Sequence, residues 1–139
     1  AKVSKRIESL HLLQDAGFRT YGMICPSLPQ RDYRQFALEM KDAIRSDKCE
    51  HVWAEVINVR GESMKRTVSA LHDAGFEWKA EQLQRMDIDR WAWENYSRDT
   101  FLGHAEVYEG TGKLRFLQYV NVTTRPDWVK QQNRGAVIL

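Results

Sequence analysis

Few residues of this chain have the type and spacing that chemistry requires. Its two cysteines, Cys25 and Cys49, stand far apart, in neither a C-x-x-C pair nor a Cys/His zinc spacing. They read as reduced, buried thiols of a cytoplasmic protein. The four histidines, His11, His51, His72 and His104, stand singly, and no metal role is expected of them. No G-x-S-x-G elbow is present to expose a nucleophilic serine. Glu55 sits inside an apolar run; buried, its carboxylate would need a partner, whereas in a one-sided sheet it would meet solvent. The densest chemical cluster is aromatic and cationic: Trp91, Trp93, Tyr96 and Phe101, with Arg85, Arg90 and Arg98 among them. Tryptophan, tyrosine and arginine are the residues of binding hot spots, so Trp91, Trp93, Tyr96, Arg90 and Arg98 are the candidate contacts to a protein partner. The plainer reading is core aromatics with surface arginines. Trp91 and Trp93 are two apart and cannot share one face of a helix.

These residues must be positioned by elements that the hydrophobic spacing makes legible. Ser4–Ala16 has helical periodicity through Ile7, Leu10, Leu12 and Leu13, with Gln14 off that face, and Gly17 is its stop. Phe18–Cys25 reads as a strand buried on both faces, as in a parallel sheet. Pro26–Arg31 is a proline loop, and Asp32 caps a helix striped by Tyr33, Phe36, Ala37, Met40, Ala43 and Ile44. His51–Val59 is a second strand. Glu62–Ala74 is a third helix, striped by Met64, Val68 and Leu71 and stopped by Gly75. The phrase L-x-D-A-G-F ends both the first and the third helix, but Glu77-Trp78-Lys79 after the second copy is not strand-like. Lys79–Leu102 is helical with a break at Asp87–Asp89, Leu114–Val122 is a third strand, and Ala105–Tyr108 is its expected hairpin partner across Glu109–Gly112. The apolar tail, residues 133–139, is expected to dock or form a short strand. The whole reads as one domain: residues 1–78 form a helix-strand-helix-strand-helix partial barrel, and residues 79–139 an aromatic-rich helical segment with a hairpin and tail.

Bulk properties narrow the class. The 139 residues carry 21 basic and 19 acidic side chains, 42% hydrophobic residues and 29% charged ones. That is an ordinary globular composition. It is too balanced to support nucleic-acid binding by charge, and a base-stacking role for the tryptophans is weakened with it. No apolar run reaches the ~20 residues of a membrane span, and no signal-peptide core is present, so no membrane partner is expected. The chain begins at Ala1, which fits either a removed initiator methionine or a fragment.

The stretch Arg6-Ile7-Glu8-Ser9-Leu10, then Leu13-Gln14-Asp15-Ala16-Gly17-Phe18-Arg19-Thr20, then a strand closing in Cys25-Pro26-Ser27-Leu28-Pro29, resembles part of the radical S-adenosylmethionine enzymes, in particular the spore photoproduct lyase-like or photolyase-like branch. Val52-Trp53-Ala54-Glu55-Val56-Ile57-Asn58-Val59-Arg60-Gly61 resembles the following strand of that barrel. The resemblance covers about Arg6 to Gly75. It implies the carboxyl-terminal half of an α/β barrel, with strand-end residues on the site side. Ser27, Asn58 and Arg60 are then the candidate cofactor contacts, beside S-adenosylmethionine, in a chain that includes the other half. The family's C-x-x-x-C-x-x-C cluster motif and its glycine-rich cofactor segment are absent from this sequence. Two cysteines cannot supply a three-thiolate [4Fe–4S] site.

Two functional expectations arise from these residues. The first is a remnant or fragment of a radical S-adenosylmethionine enzyme, not catalytic alone, whose S-adenosylmethionine and [4Fe–4S] cluster belong to a full-length parent. The second is a stand-alone binding module, such as a small phage-encoded inhibitor of a host defence protein. A half barrel leaves two open sheet edges, and a homodimer that pairs them would bury both.

Overall fold

The computed structural model describes residues 2–57, 62–117 and 134–139. The order is α1 (Val3–Asp15), β1 (Thr20–Ser27), α2 (Tyr33–Ala43), a short 3-10 turn (Ser46–Lys48), β2 (Cys49–Val56), α3 (Glu62–Asp73), α4 (Glu77–Ile88), α5 (Arg90–Val107), β3 (Leu114–Leu117) and β4 (Val137–Ile138). The four strands form one open sheet in the order β1-β2-β3-β4, every pair parallel. The α/β class with helices packed on an open sheet is therefore the fold, and the sheet does not close on itself.

Both L-x-D-A-G-F phrases terminate helices in the same way. Gly17 and Gly75 take φ of +79° and +77°, which side chains with a Cβ adopt only at a cost. The next amide then reaches back, Phe18 N to Leu13 O at 3.0 Å and Phe76 N to Leu71 O at 2.8 Å. These are the hydrogen bonds of a Schellman cap. Asp32 accepts from Gln35 N at 2.8 Å and starts α2, as its sequence position predicts. Asp89 separates α4 from α5 and caps the latter through Trp91 N at 2.9 Å. That is the break anticipated over Asp87–Asp89.

Side chains on one face of the sheet are buried beneath α2 and α5. Ile24, Val52, Ala54, Leu114 and Phe116 lie there with Phe101 of α5, whose ring meets Phe116 edge-on at 5.1 Å. One buried cluster takes residues from both halves of the chain. Within it, α3 and α4 pack as a helical hairpin through Met64, Val68, Leu71, Ala80, Leu83 and Met86. On the opposite face, Tyr21 and Met23 of β1 are 46% and 63% exposed. In register beside them are the half-buried His51 and Trp53 of β2 and Arg115 of β3, then the exposed Val137 of β4.

Three expectations need correction. Ala105–Tyr108 is no hairpin strand: α5 runs to Val107, Ala105 is buried in the core, and β3 pairs in parallel with β2 and β4. The helical period of Phe101, Ala105 and Tyr108 outweighs the short apolar alternation read as a strand. In α1, Leu12 is 66% exposed whereas Gln14 is buried. The Gln14 amide donates to Ile44 O at 3.0 Å, and His11 Nε2 is 2.8 Å from Ala43 O, so a polar stripe ties α1 to the end of α2. Phe18–Cys25 is not buried on both faces, because nothing among the described residues covers Tyr21 and Met23. Of the third expected strand, Leu114–Leu117 is β3 and residues 118–122 lie outside the described residues. The tail forms the short strand β4.

Gly103 marks the closest approach of α5 to α2. A Cβ there would stand 2.7 Å from the Tyr33 backbone carbon. Gly103→Ala is expected to destabilise the protein by about 1–3 kcal/mol despite alanine's better helix propensity, because backbone must move. Urea unfolding checks this; an equal or higher midpoint would contradict the tight crossing.

Candidate functional site

The carboxyl ends of β1 and β2 are where a barrel-like sheet would place its site, and there α5 makes its polar contacts. The register between β1 and β2 shifts between Ile24 and Ser27, so the last backbone groups leave the regular ladder. Tyr96 of α5 takes them up. Its hydroxyl accepts from Ile57 N at 2.8 Å and donates to Ser27 O. Burial pushes the phenol's pKa well above its ordinary value, so it remains a donor at every ordinary pH. Trp93 adds Nε1 to Ile57 O at 3.2 Å.

Ser27 is fully buried. Its hydroxyl donates to Ile24 O at 3.3 Å and lies 3.5 Å from Nε2 of the equally buried His104. The His104 ring packs edge-on to Phe36 at 6.0 Å, and its Nδ1 has no hydrogen-bond partner among the described residues. Burial lowers its pKa to about 4, so the imidazole is neutral. A serine beside a neutral histidine has the elements of a nucleophile and base, but no carboxylate orients this ring and neither group reaches the surface. The pair is core structure.

Above these strand ends lies a groove of about 700 Å³, lined by Pro29, Arg31, Tyr33, Trp78, Asn95 and Asp99 among others. Its charges are engaged within the protein. Arg31 lies over the Trp78 ring at 4.6 Å, Arg34 pairs with Glu106 at 2.6 Å, and Asp99 accepts from Arg98 at 2.9 Å.

The candidate residues therefore separate. Ser27 points into the core, while Asn58 and Arg60 lie outside the described residues. Tyr96 is buried and Trp93 half-buried, both tied to β2. Trp91 projects into solvent at 74% exposure beside Ile88 at 88%, at the corner between α4 and α5. Arg90 on the same corner pairs with Glu94 at 2.8 Å, and Arg98 pairs with Asp99 at 2.9 Å. Sequence reasoning did not single out Ile88 or His104. The step from buried Met86 to exposed Ile88 across a helix end is a tertiary outcome, and an isolated histidine carries no local signal of burial.

The two cysteines lie on opposite faces of the sheet. Cys49 is in the core, and Cys25 sits on the bare face with its thiol 3.7 Å from Trp53 O. Burial, with the Glu55 carboxylate nearby, pushes the Cys25 pKa up to about 12. It is a thiol and not a thiolate at neutral pH. These residues do not fit an iron–sulfur cluster. Among the described residues, no three His, Cys, Asp or Glu side chains converge as metal ligands, and no helix is long and apolar enough to cross a membrane.

No protein-family model, curated protein or solved structure matches the chain.

Tyr96→Phe strips the partner from a buried N–H and a buried C=O, and about 2–4 kcal/mol of stability is expected to go with it. Equal chemical-denaturation midpoints for the two proteins would refute the bridge. His104 supplies a pH signature. Its folded pKa lies below the ordinary 6.5, so its contribution is intact above pH 6.5 and is lost as pH falls toward 4, where only the unfolded chain takes the proton. The loss is roughly 3 kcal/mol over that window. Unfolding free energies at pH 7 and pH 4.5, compared with those of His104→Gln, should show a shallower slope in the variant; parallel slopes would remove His104 as the cause.

Proposed function

We propose that this chain is a binding unit with no chemistry of its own: the carboxyl-terminal half of a radical S-adenosylmethionine-type barrel, present as a remnant or fragment. The observation that supports this most is the sheet. Its four parallel strands follow one another in sequence order with α2 and α5 together on one face, the winding of a (β/α) barrel that stops half-way. The face left bare, with Tyr21, Met23 and Trp53, corresponds to a barrel lumen. Cofactor contact by Asn58 and Arg60 belongs to the same proposal and requires the other half of the barrel.

The corner formed by Ile88 and Trp91 favours the second reading, a stand-alone module that binds a protein, such as a small phage-encoded inhibitor acting in the cytoplasm. An exposed tryptophan and isoleucine ringed by Arg85, Arg90 and Glu94 have hot-spot composition.

Anaerobic reconstitution with iron and sulfide, followed by equilibrium dialysis against S-adenosylmethionine, is expected to give neither a bound cluster nor retained ligand. A stable cluster, or tight binding by the isolated chain, would overturn the non-catalytic reading.

A further inference from the structure

We infer that the bare sheet face, the β1 edge and the flank of α1 together bind a second copy of this chain, closing two four-stranded sheets into one eight-stranded parallel barrel. The inference rests on reading the bare face as a binding surface.

The first observation is the β1 edge. Among the described residues β1 pairs only with β2. It is eight residues long and uncharged throughout, Thr-Tyr-Gly-Met-Ile-Cys-Pro-Ser. Charge, brevity and covering segments are the usual guards of an edge strand, and among the described residues β1 has none of them apart from Pro26 near its end. The other edge, β4, has two residues, with Val137 41% and Leu139 50% exposed.

The second observation is α1. It is held to the end of α2 by His11 and Gln14, and by Asp15 with Arg45 and Lys48. With α5 on the other side of α2, the helix layer runs α1, α2, α5, and α1 is outermost beside the β1 edge. Val3 shares the packed stripe of Ile7, Leu10 and Gln14, yet it is 69% exposed, and Leu13 and Phe18 beside that stripe are uncovered too. A helix placed this way lacks the strand it should cover. Right-handed winding puts that strand next to β1 and parallel to it.

A two-fold axis along the strands covers the bare face, both sheet edges and the α1 flank at once. It keeps all strands parallel, sets β4 of one copy against β1 of its partner at both seams, and places each α1 over the partner's β4. Four strands and four make eight, the number whose interior side chains can fill. The sheet face alone is small for an interface. Four strands about 4.8 Å apart and about five residues deep present roughly 300 Å². A standard interface takes about 800 Å² from each partner, which requires the edges and the α1 flank as well.

Sedimentation of the intact chain is expected to give the mass of a dimer at micromolar concentration. Met23→Glu, on the bare face of β1, and Val137→Glu, on β4, should each yield a monomer whose circular dichroism and cooperative melting are retained. In a Cys25→Ser chain, Met23→Cys alone should give no covalent dimer on oxidation, because parallel closure holds the two β1 strands apart. A monomeric parent, a dimer insensitive to both charged variants, or self-cross-linking by Met23→Cys alone would overturn the proposal. The last result would indicate antiparallel pairing of two β1 edges, and a monomer would leave the edge to a strand of another polypeptide segment. None of these outcomes depends on cluster or S-adenosylmethionine binding.

Discussion

The Tyr96 hydroxyl is the contact on which the carboxyl end of this sheet depends. One oxygen receives the Ile57 amide and gives its proton to the Ser27 carbonyl, joining the ends of two strands where their ladder has lost register. Buried backbone groups left unpaired cost about as much as a lost hydrogen bond each, so the position of α5 is tied to the sheet by more than packing. Trp93 fixes the Ile57 carbonyl from the same helix. Gly103, two turns further on, allows α5 to touch the α2 backbone, and Phe101 between them reaches Phe116. A single helix thus orders β1, β2, β3 and α2 together. The same burial removes Ser27 and His104 from chemistry, because groups that hold the core here cannot also meet a substrate.

The consequence is a sheet with two unlike faces. Under the helices most side chains are aliphatic or aromatic, and Gln14, Thr20 and Ser27 each donate a hydrogen bond to a buried or part-buried backbone carbonyl. The bare face mixes Met23 and Trp53 with Glu55, His51 and Arg115. At the start of β1, Arg19, Glu50 and Tyr21 form a hydrogen-bonded set, with Tyr21 stacked on His51 at 6.0 Å. The Arg19 guanidinium and the Tyr21 hydroxyl hold the Glu50 carboxyl at a pKa of about 2. Parallel sheets normally have both faces covered, and this face is neither fully apolar nor fully charged.

Much of this was legible in the sequence because the deciding signals are local. Asp32 and Asp89 act through amides two or three residues away, Gly17 and Gly75 through their own φ, and the stripes of α2 and α3 through a 3.6-residue period. Features decided at long range escaped. Gln14 reads as a surface residue until Ile44 O is brought to it from 30 positions away. Ala105 reads as strand until Phe116 and the rest of the core claim its face of a helix. The binding cluster was legible only as composition. Whether Trp91 or Trp93 faces the core depends on where β2 ends, and Ile57 settles that by taking Trp93.

The two L-x-D-A-G-F phrases separate the decisions a cap makes from those it leaves open. Both end their helices with the same αL glycine and the same backward hydrogen bond from phenylalanine. After the first, residues alternate between buried and exposed, Thr20, Tyr21, Gly22, Met23, Ile24, and a strand forms. After the second, Ala80, Leu83 and Met86 recur at every third position, all are buried, and α4 forms against α3. The cap sets where a helix stops; the hydrophobic period after the cap sets the type of the next element. A third βα unit therefore does not follow α3 directly. Three helices separate β2 from β3, and among the described residues the sheet reaches four strands with its winding intact and its edges open.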